Sequence, residues 1–255
     1  MERQTHLVDL ISKEEVAPPP QGATDITIPL QGGTLPARVF LASENSPKLF
    51  FFHAEREKID QYNQLGQDLL EYDITLVVFG YRGENAGKGD ASFETLLPDA
   101  KEAFFFMEDH LQAHGRKGDI SLMGRSLGAG VALSLAVELE DQVRALILDS
   151  PIVDSKHWLI KRNLKIEEDP FSPLEKIKKW RKPLLFFVAQ FDDELSLPEA
   201  EKLLIFCPGR NKRLLIMPGY HREETIERGG SLYAETLAEL LNRLASRFGK
   251  RRITH

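Results

Sequence analysis

The sequence predicts an α/β protein built on a doubly wound, mostly parallel sheet, with an antiparallel N-terminal hairpin at one edge and helices on both faces. Three observations predict it. Short, nearly continuous apolar runs recur at 48–52, 74–79, 120–123, 145–148, 183–188 and 213–217, the pattern of strands buried on both faces, as parallel strands are. Helix-period segments separate them, at about 58–71, 93–113, 127–140, 198–206 and 222–248, and such alternation is the signature of crossover units. Ahead of these, 25–30 and 35–42 read as two strands joined by Gln31-Gly-Gly33, a hairpin signal.

The flanks and composition set the frame. Residues 1–22 read as a polar leader closed by Pro18-Pro-Pro20 and Gly22, and 23–255 as a single domain. The interval 151–181 breaks the rhythm: it is rich in Lys, Glu and Trp, holds Pro170 and Pro173, and lacks a clear strand. It reads as a small cap over the strand ends or as a plain surface loop. With 42% hydrophobic and 28% charged residues the composition is that of a globular protein. Cys207 is the single cysteine, which excludes an intrachain disulfide and fits a reducing compartment. The formal charge of -6 argues against nucleic acid as a partner, and the basic C-terminal run reads as a solvated helix end. Neither a signal-peptide core nor a transmembrane segment of 18 apolar residues is present, so the reading is a cytoplasmic protein.

Chemistry concentrates at Gly124-Arg-Ser-Leu-Gly128, a G-x-S-x-G match between a buried strand and an alanine-rich helix. A strand that reverses into a helix within a residue or two strains the serine backbone and exposes its hydroxyl. Glycines on either side remove the Cβ atoms that would clash as helix and strand close in. Ser126 then stands at a helix N-terminus, where free N–H groups favour developing negative charge. The competing reading is a serine that only caps the helix.

A serine hydroxyl is a weak nucleophile and needs a base and an orienting acid. His6 and His255 lie near the chain ends, and His157 falls in the 151–181 interval. His110 and His114 stand four apart, but Leu111 occupies the place where H-E-x-x-H needs its glutamate. His53 ends one strand, and His221 follows the last; a base just past the last strand reaches the same sheet edge, so His221 is favoured. For the acid, Asp192 and Asp193 follow the strand at 183–188 and Asp149 ends its own strand; the rival reading of 192–194 is a helix-capping cluster. Gly83-Glu-Asn-Ala-Gly-Lys-Gly-Asp90 fails the Walker A spacing and lacks its Ser/Thr, and Cys207 reads as a packed thiol.

From about residue 25 to 248 the chain resembles the α/β-hydrolase superfamily, whose triads run Ser, Asp, His in chain order. His53-Ala-Glu55 resembles that family's H-G-x oxyanion loop, Phe79-Gly-Tyr-Arg-Gly83 is similar to its D-Y-R-G turn, and 171–183 resembles the segment before the acid-bearing strand. Placing Gln190-Phe-Asp-Asp193 on the family's G-x-x-D carries the acid role to Asp193. The resemblance implies a serine hydrolase of carboxylic esters or thioesters, of the carboxylesterase or thioesterase type, working through an acyl-enzyme on Ser126. His221 would be its base and Asp193 its acid, with the backbone N–H groups of Leu127 and Glu55 binding the oxyanion. The substrate would be a small-molecule ester or acyl compound, with no cofactor and no metal. Ala54 and Gln190 replace family glycines and the loop to His221 is about one residue short. These departures motivate one alternative, a binding or regulatory protein that has lost efficient turnover. A second, a serine peptidase on short peptides, uses the same triad.

Overall fold

A computed structural model describes residues 7, 10–85, 87–164, 168–192, 197–219 and 224–249. Its strands are β1 (Ala23–Leu30), β2 (Gly33–Phe40), β3 (Lys48–Phe52), β4 (Thr75–Phe79), β5 (Ile120–Arg125), β6 (Val143–Asp149), β7 (Leu184–Ala189) and β8 (Lys212–Met217). They form one eight-stranded sheet in the order β1-β2-β4-β3-β5-β6-β7-β8. The hairpin β1–β2 is antiparallel, turns on Gly32 at φ +78, and joins the sheet antiparallel to β4. From β4 to β8 every pairing is parallel.

Side chains along the central strands alternate between two cores, as the two-residue pleat requires. Phe50 and Phe52 of β3 join the core under α2 (Phe93–Ala113), α3 (Leu127–Glu138) and α6 (Leu197–Phe206), whereas Leu49 and Phe51 join the core under α1 (Asn63–Glu71) and α7 (Glu224–Gly249). On β7, Phe186 and Val188 face the first core, and Leu185 and Phe187 the second. Both faces are covered, which is why these strands carry almost no polar residues.

Two segments lie outside the strand–helix alternation. In the leader, Leu7, Leu10 and Ile11 are buried against the α2–α3 core, and Leu10 O accepts from Arg56 N–H at 2.8 Å. A few apolar side chains, spaced among polar ones, suffice to fasten it, and average polarity hides them. In 151–181 the described residues form two short helices, α4 (Ser155–Lys161), capped by the Asp154 side chain, and α5 (Pro173–Ile177). Among the described residues no helix is long and apolar enough to cross a membrane.

The region around α3 is closely packed. Leu127 through Ala136 are all buried. A Cβ at Gly124 would lie 2.1 Å from the Gly128 carbonyl oxygen, and one at Gly128 only 2.0 Å from that of Phe52. Both obstacles are backbone, so neither can rotate away. Gly128→Ala is therefore expected to push α3 off β3 and cost about 2–3 kcal/mol of stability, read as a fall in the urea midpoint at unchanged m-value.

Candidate active site

The carboxyl ends of β3, β5, β6, β7 and β8 meet at one sheet edge, where ligands of open α/β sheets bind. Ser126 stands there as the residue before α3, with φ +49 and ψ −114. A non-glycine residue in this region is strained and persists only where its surroundings hold it. Here Ser126 N–H donates to Asp149 O at 3.0 Å, Ser126 O accepts from Ala129 N–H at 3.0 Å, and the flanking glycines admit the close approach of α3.

The Ser126 hydroxyl is met by a carboxylate. Its Oγ donates to Glu55 Oε2 at 2.9 Å, and the same oxygen lies 3.5 Å from the Leu127 N–H. Glu55 thus enters through its side chain, whereas the resemblance pointed to its backbone N–H. Its other oxygen faces Arg162 Nη2 at 3.8 Å, just beyond α4, and that guanidinium lies over the Trp158 ring, 3.8 Å from the centroid. Glu55 and Arg162 line a cavity of about 670 Å³, walled also by Arg56, Tyr62, Arg125 and Glu227. Ser126 is 0% exposed and does not reach the cavity surface, whereas Glu55 does.

Beneath the serine lies a buried polar cluster centred on Arg125, the variable residue of the pentapeptide. Its guanidinium sits 3.3 Å from Glu57 Oε1 and 3.5 Å from Asp149 Oδ2, and donates to Thr225 Oγ1 at 3.2 Å. Burial opposes its charge, but Glu57, with Tyr62 and Asp149, outweighs that and holds its pKa well above the ordinary value. Glu57 in turn accepts from Tyr62 OH and, at 2.9 Å, from Ala54 N–H. Asp149 Oδ2 accepts from Thr225 Oγ1 at 2.9 Å and Tyr233 OH at 2.8 Å, and Ser150 Oγ donates to Oδ1 at 3.3 Å. Asp149, a contender for the acid, is thereby engaged in fastening α7 to the sheet.

His53 is likewise committed. Nδ1 lies 2.7 Å from Ala54 O and Nε2 lies 3.0 Å from Glu84 Oε2. A carbonyl and a carboxylate both accept, so the ring meets them best with protons on both nitrogens. Burial alone would lower its pKa; the Glu84 charge and hydrogen bond outweigh burial and raise it. A raised imidazole pKa contributes stability that is complete below the unfolded value of about 6.5 and is lost as pH rises through the folded value. Glu84→Gln removes the opposing charge and leaves desolvation dominant, so the slope reverses: stability is lost as pH falls. Urea midpoints of the two chains between pH 5 and 9 test this, and parallel curves would refute it.

The favoured base and acid, His221 and Asp193, lie outside the described residues. Residues just before them are joined: Gln190 N–H donates to Met217 O at 2.9 Å and Phe191 N–H to Gly219 O at 3.0 Å. Asp192 follows this junction and lines a smaller cavity with Ser150, His157 and Trp158. His110 and His114 lie side by side at the end of α2, with ring centroids 4.4 Å apart and the rings tilted by 38°. Cys207 is buried at the end of α6, where burial raises its thiol pKa. Sequence reasoning missed the Glu55 carboxylate, Arg162 and the Arg125 cluster. The available signal was charge density: Glu55-Arg-Glu57 after a buried strand and an arginine inside the pentapeptide.

A parallel sheet edge carrying a strained serine between close-packed glycines defines an α/β hydrolase. A family model described as serine aminopeptidase, S33 matches residues 43–174, just over half of the chain, and the chain belongs to that family. It is 27% identical over 179 residues to the uncharacterized protein Rv2307c of Mycobacterium tuberculosis, covering 68% of this chain and 61% of that relative's length. It is 23% identical over 217 residues to the uncharacterized protein YfhR of Escherichia coli K12, covering 83% of this chain and 76% of the relative. Among solved structures, a Pyrococcus furiosus esterase matches at TM-score 0.72 and 17% identity, covering 93% of this chain and 98% of that one. A soluble variant of monoglyceride lipase from Saccharomyces cerevisiae matches at TM-score 0.70 and 13% identity, covering 86% and 94%. At these identities the structural likeness concerns the fold.

Proposed function

We propose that the chain is a serine hydrolase cleaving carboxylic esters or thioesters of small molecules in a cytoplasmic setting. The observation that carries this reading is Ser126 itself, held at φ +49 between β5 and the N-terminus of α3. In acylation the Ser126 Oγ–carbon bond forms and the alcohol or thiol leaves. His221 takes the serine proton and returns it to the leaving group, while Asp193 holds the imidazole in its working tautomer. Water then adds to the acyl carbon, its proton passing through His221, and the carboxylic acid is released with Ser126 restored. The N–H groups of Leu127 and Glu55 bind the oxyanion. The junction of the chain segments before Asp193 and His221 supports their pairing. No step calls on a cofactor or a metal. The domain is 23–255, with 151–181 as a small cap; the approach of Arg162 to Glu55 supports that role.

A fluorophosphonate probe tests the nucleophile: the wild type is expected to be labelled and Ser126→Ala is not. Label on both chains alike overturns the assignment. Two other readings have an observation in their favour. The carboxylate on Ser126 favours a binding or regulatory protein with little turnover, which ester hydrolysis abolished by His221→Ala would exclude. The family description favours a peptidase on short peptides. Comparing p-nitrophenyl esters with aminoacyl p-nitroanilides separates that from ester cleavage.

A further inference from the structure

We infer that the Glu55 side chain is a gate on Ser126: an internal carboxylate that holds the place of the substrate's carbonyl oxygen and must leave before an acyl group can react. This rests on the proposed roles of Ser126 as nucleophile and Leu127 N–H as oxyanion donor. Glu55 Oε2 accepts from Ser126 Oγ at 2.9 Å and stands 3.5 Å from the Leu127 N–H. An incoming carbonyl oxygen needs that same N–H, and a carboxylate is the stronger, charge-assisted acceptor. The arrangement superficially suits a general base. A carboxylate at the oxyanion position, however, sets one negative charge against another as the tetrahedral intermediate forms, the reverse of stabilisation.

Burial supports the same conclusion. The cavity of about 670 Å³ ends on Glu55, not on Ser126, which is 0% exposed. The gate also has a place to go: its second oxygen already faces Arg162 Nη2 at 3.8 Å, on the cavity wall and away from the serine. Rotation of the Glu55 side chain toward Arg162 opens the hydroxyl to the cavity and frees the Leu127 N–H.

The test is the rate of fluorophosphonate labelling of wild type, Glu55→Gln and Glu55→Ala, each compared with the same chain in which Ser126→Ala has been added, with thermal melts recorded on all. In labelling, the Oγ–phosphorus bond forms as the phosphorus–fluorine bond breaks; fluoride leaves and the base takes the serine proton. The phosphoryl oxygen needs the same N–H as a carbonyl. Both Glu55 variants are expected to label about tenfold faster or more, the size expected from losing a charged hydrogen bond, and Ser126→Ala erases the gain. Added acetate is expected to refill the vacated place and slow Glu55→Ala while leaving the wild type unchanged, which a general loosening of the fold would not do. Labelling of the variants at the wild-type rate or slower overturns the gate while the nucleophile assignment stands; so does acetate acting equally on both chains. Absence of label on every chain overturns the nucleophile assignment and the gate with it. Should Glu55→Ala fail to fold, the isosteric Glu55→Gln decides by its rate alone.

Discussion

Ser126→Ala is expected to lower ester turnover by about 10⁴-fold or more, and His221→Ala by nearly as much, with the double variant no worse than either alone. The non-additivity is the informative part. A nucleophile without its base keeps its proton, and a base without its nucleophile has nothing to activate, so removing the second partner removes nothing further. Roughly additive losses would mean that the residues do not act as a unit. The same assay assigns the acid: Asp193→Asn is expected to impair kcat strongly and Asp192→Asn to leave most of it. Asp149→Asn should act chiefly on stability, because its carboxylate is occupied by Thr225 and Tyr233.

Arg125→Met is expected to cost about 3–5 kcal/mol of stability, a large share of what a domain has. The guanidinium is the positive charge placed between Glu57 and Asp149, both buried. Without it two largely buried carboxylates face each other where water screens them only weakly. The lost ion pairs matter less than the charges left behind, so a second substitution should restore stability. Arg125→Met with Glu57→Gln is expected to recover part of the loss, and the coupling in a double-mutant cycle measures how much. A single-variant loss under about 1 kcal/mol would show that the cluster tolerates the missing charge. Because Glu57 accepts the Ala54 N–H, the variant should also loosen the loop that carries Glu55.

Much of the architecture was legible because it follows from local periodicity. Buried strands read as apolar runs, and expected helices such as 93–113 and 127–140 coincide closely with α2 and α3. The strand-to-helix turn at Ser126 was legible for a similar reason: a strand, a serine between two glycines and a small-residue helix are contiguous in the chain. The leader was not. Its anchoring depends on the α2–α3 core accepting Leu7, Leu10 and Ile11, and no local pattern encodes that.

The sequence by itself determined the alternation of elements, the hairpin and the position of the candidate nucleophile at a strand-to-helix turn. Each is a property of neighbouring residues or of their order. Tertiary structure alone decided what surrounds the serine, namely Glu55 on its hydroxyl from 71 residues away. It also decided that Arg125 would be buried between Glu57 and Asp149. The physical reason is that charges act through space. A carboxylate just past the end of a strand, as Glu55 is past β3, reads as a solvated loop residue until the sheet brings another strand's end beside it, and its chemistry then depends on what water can no longer reach.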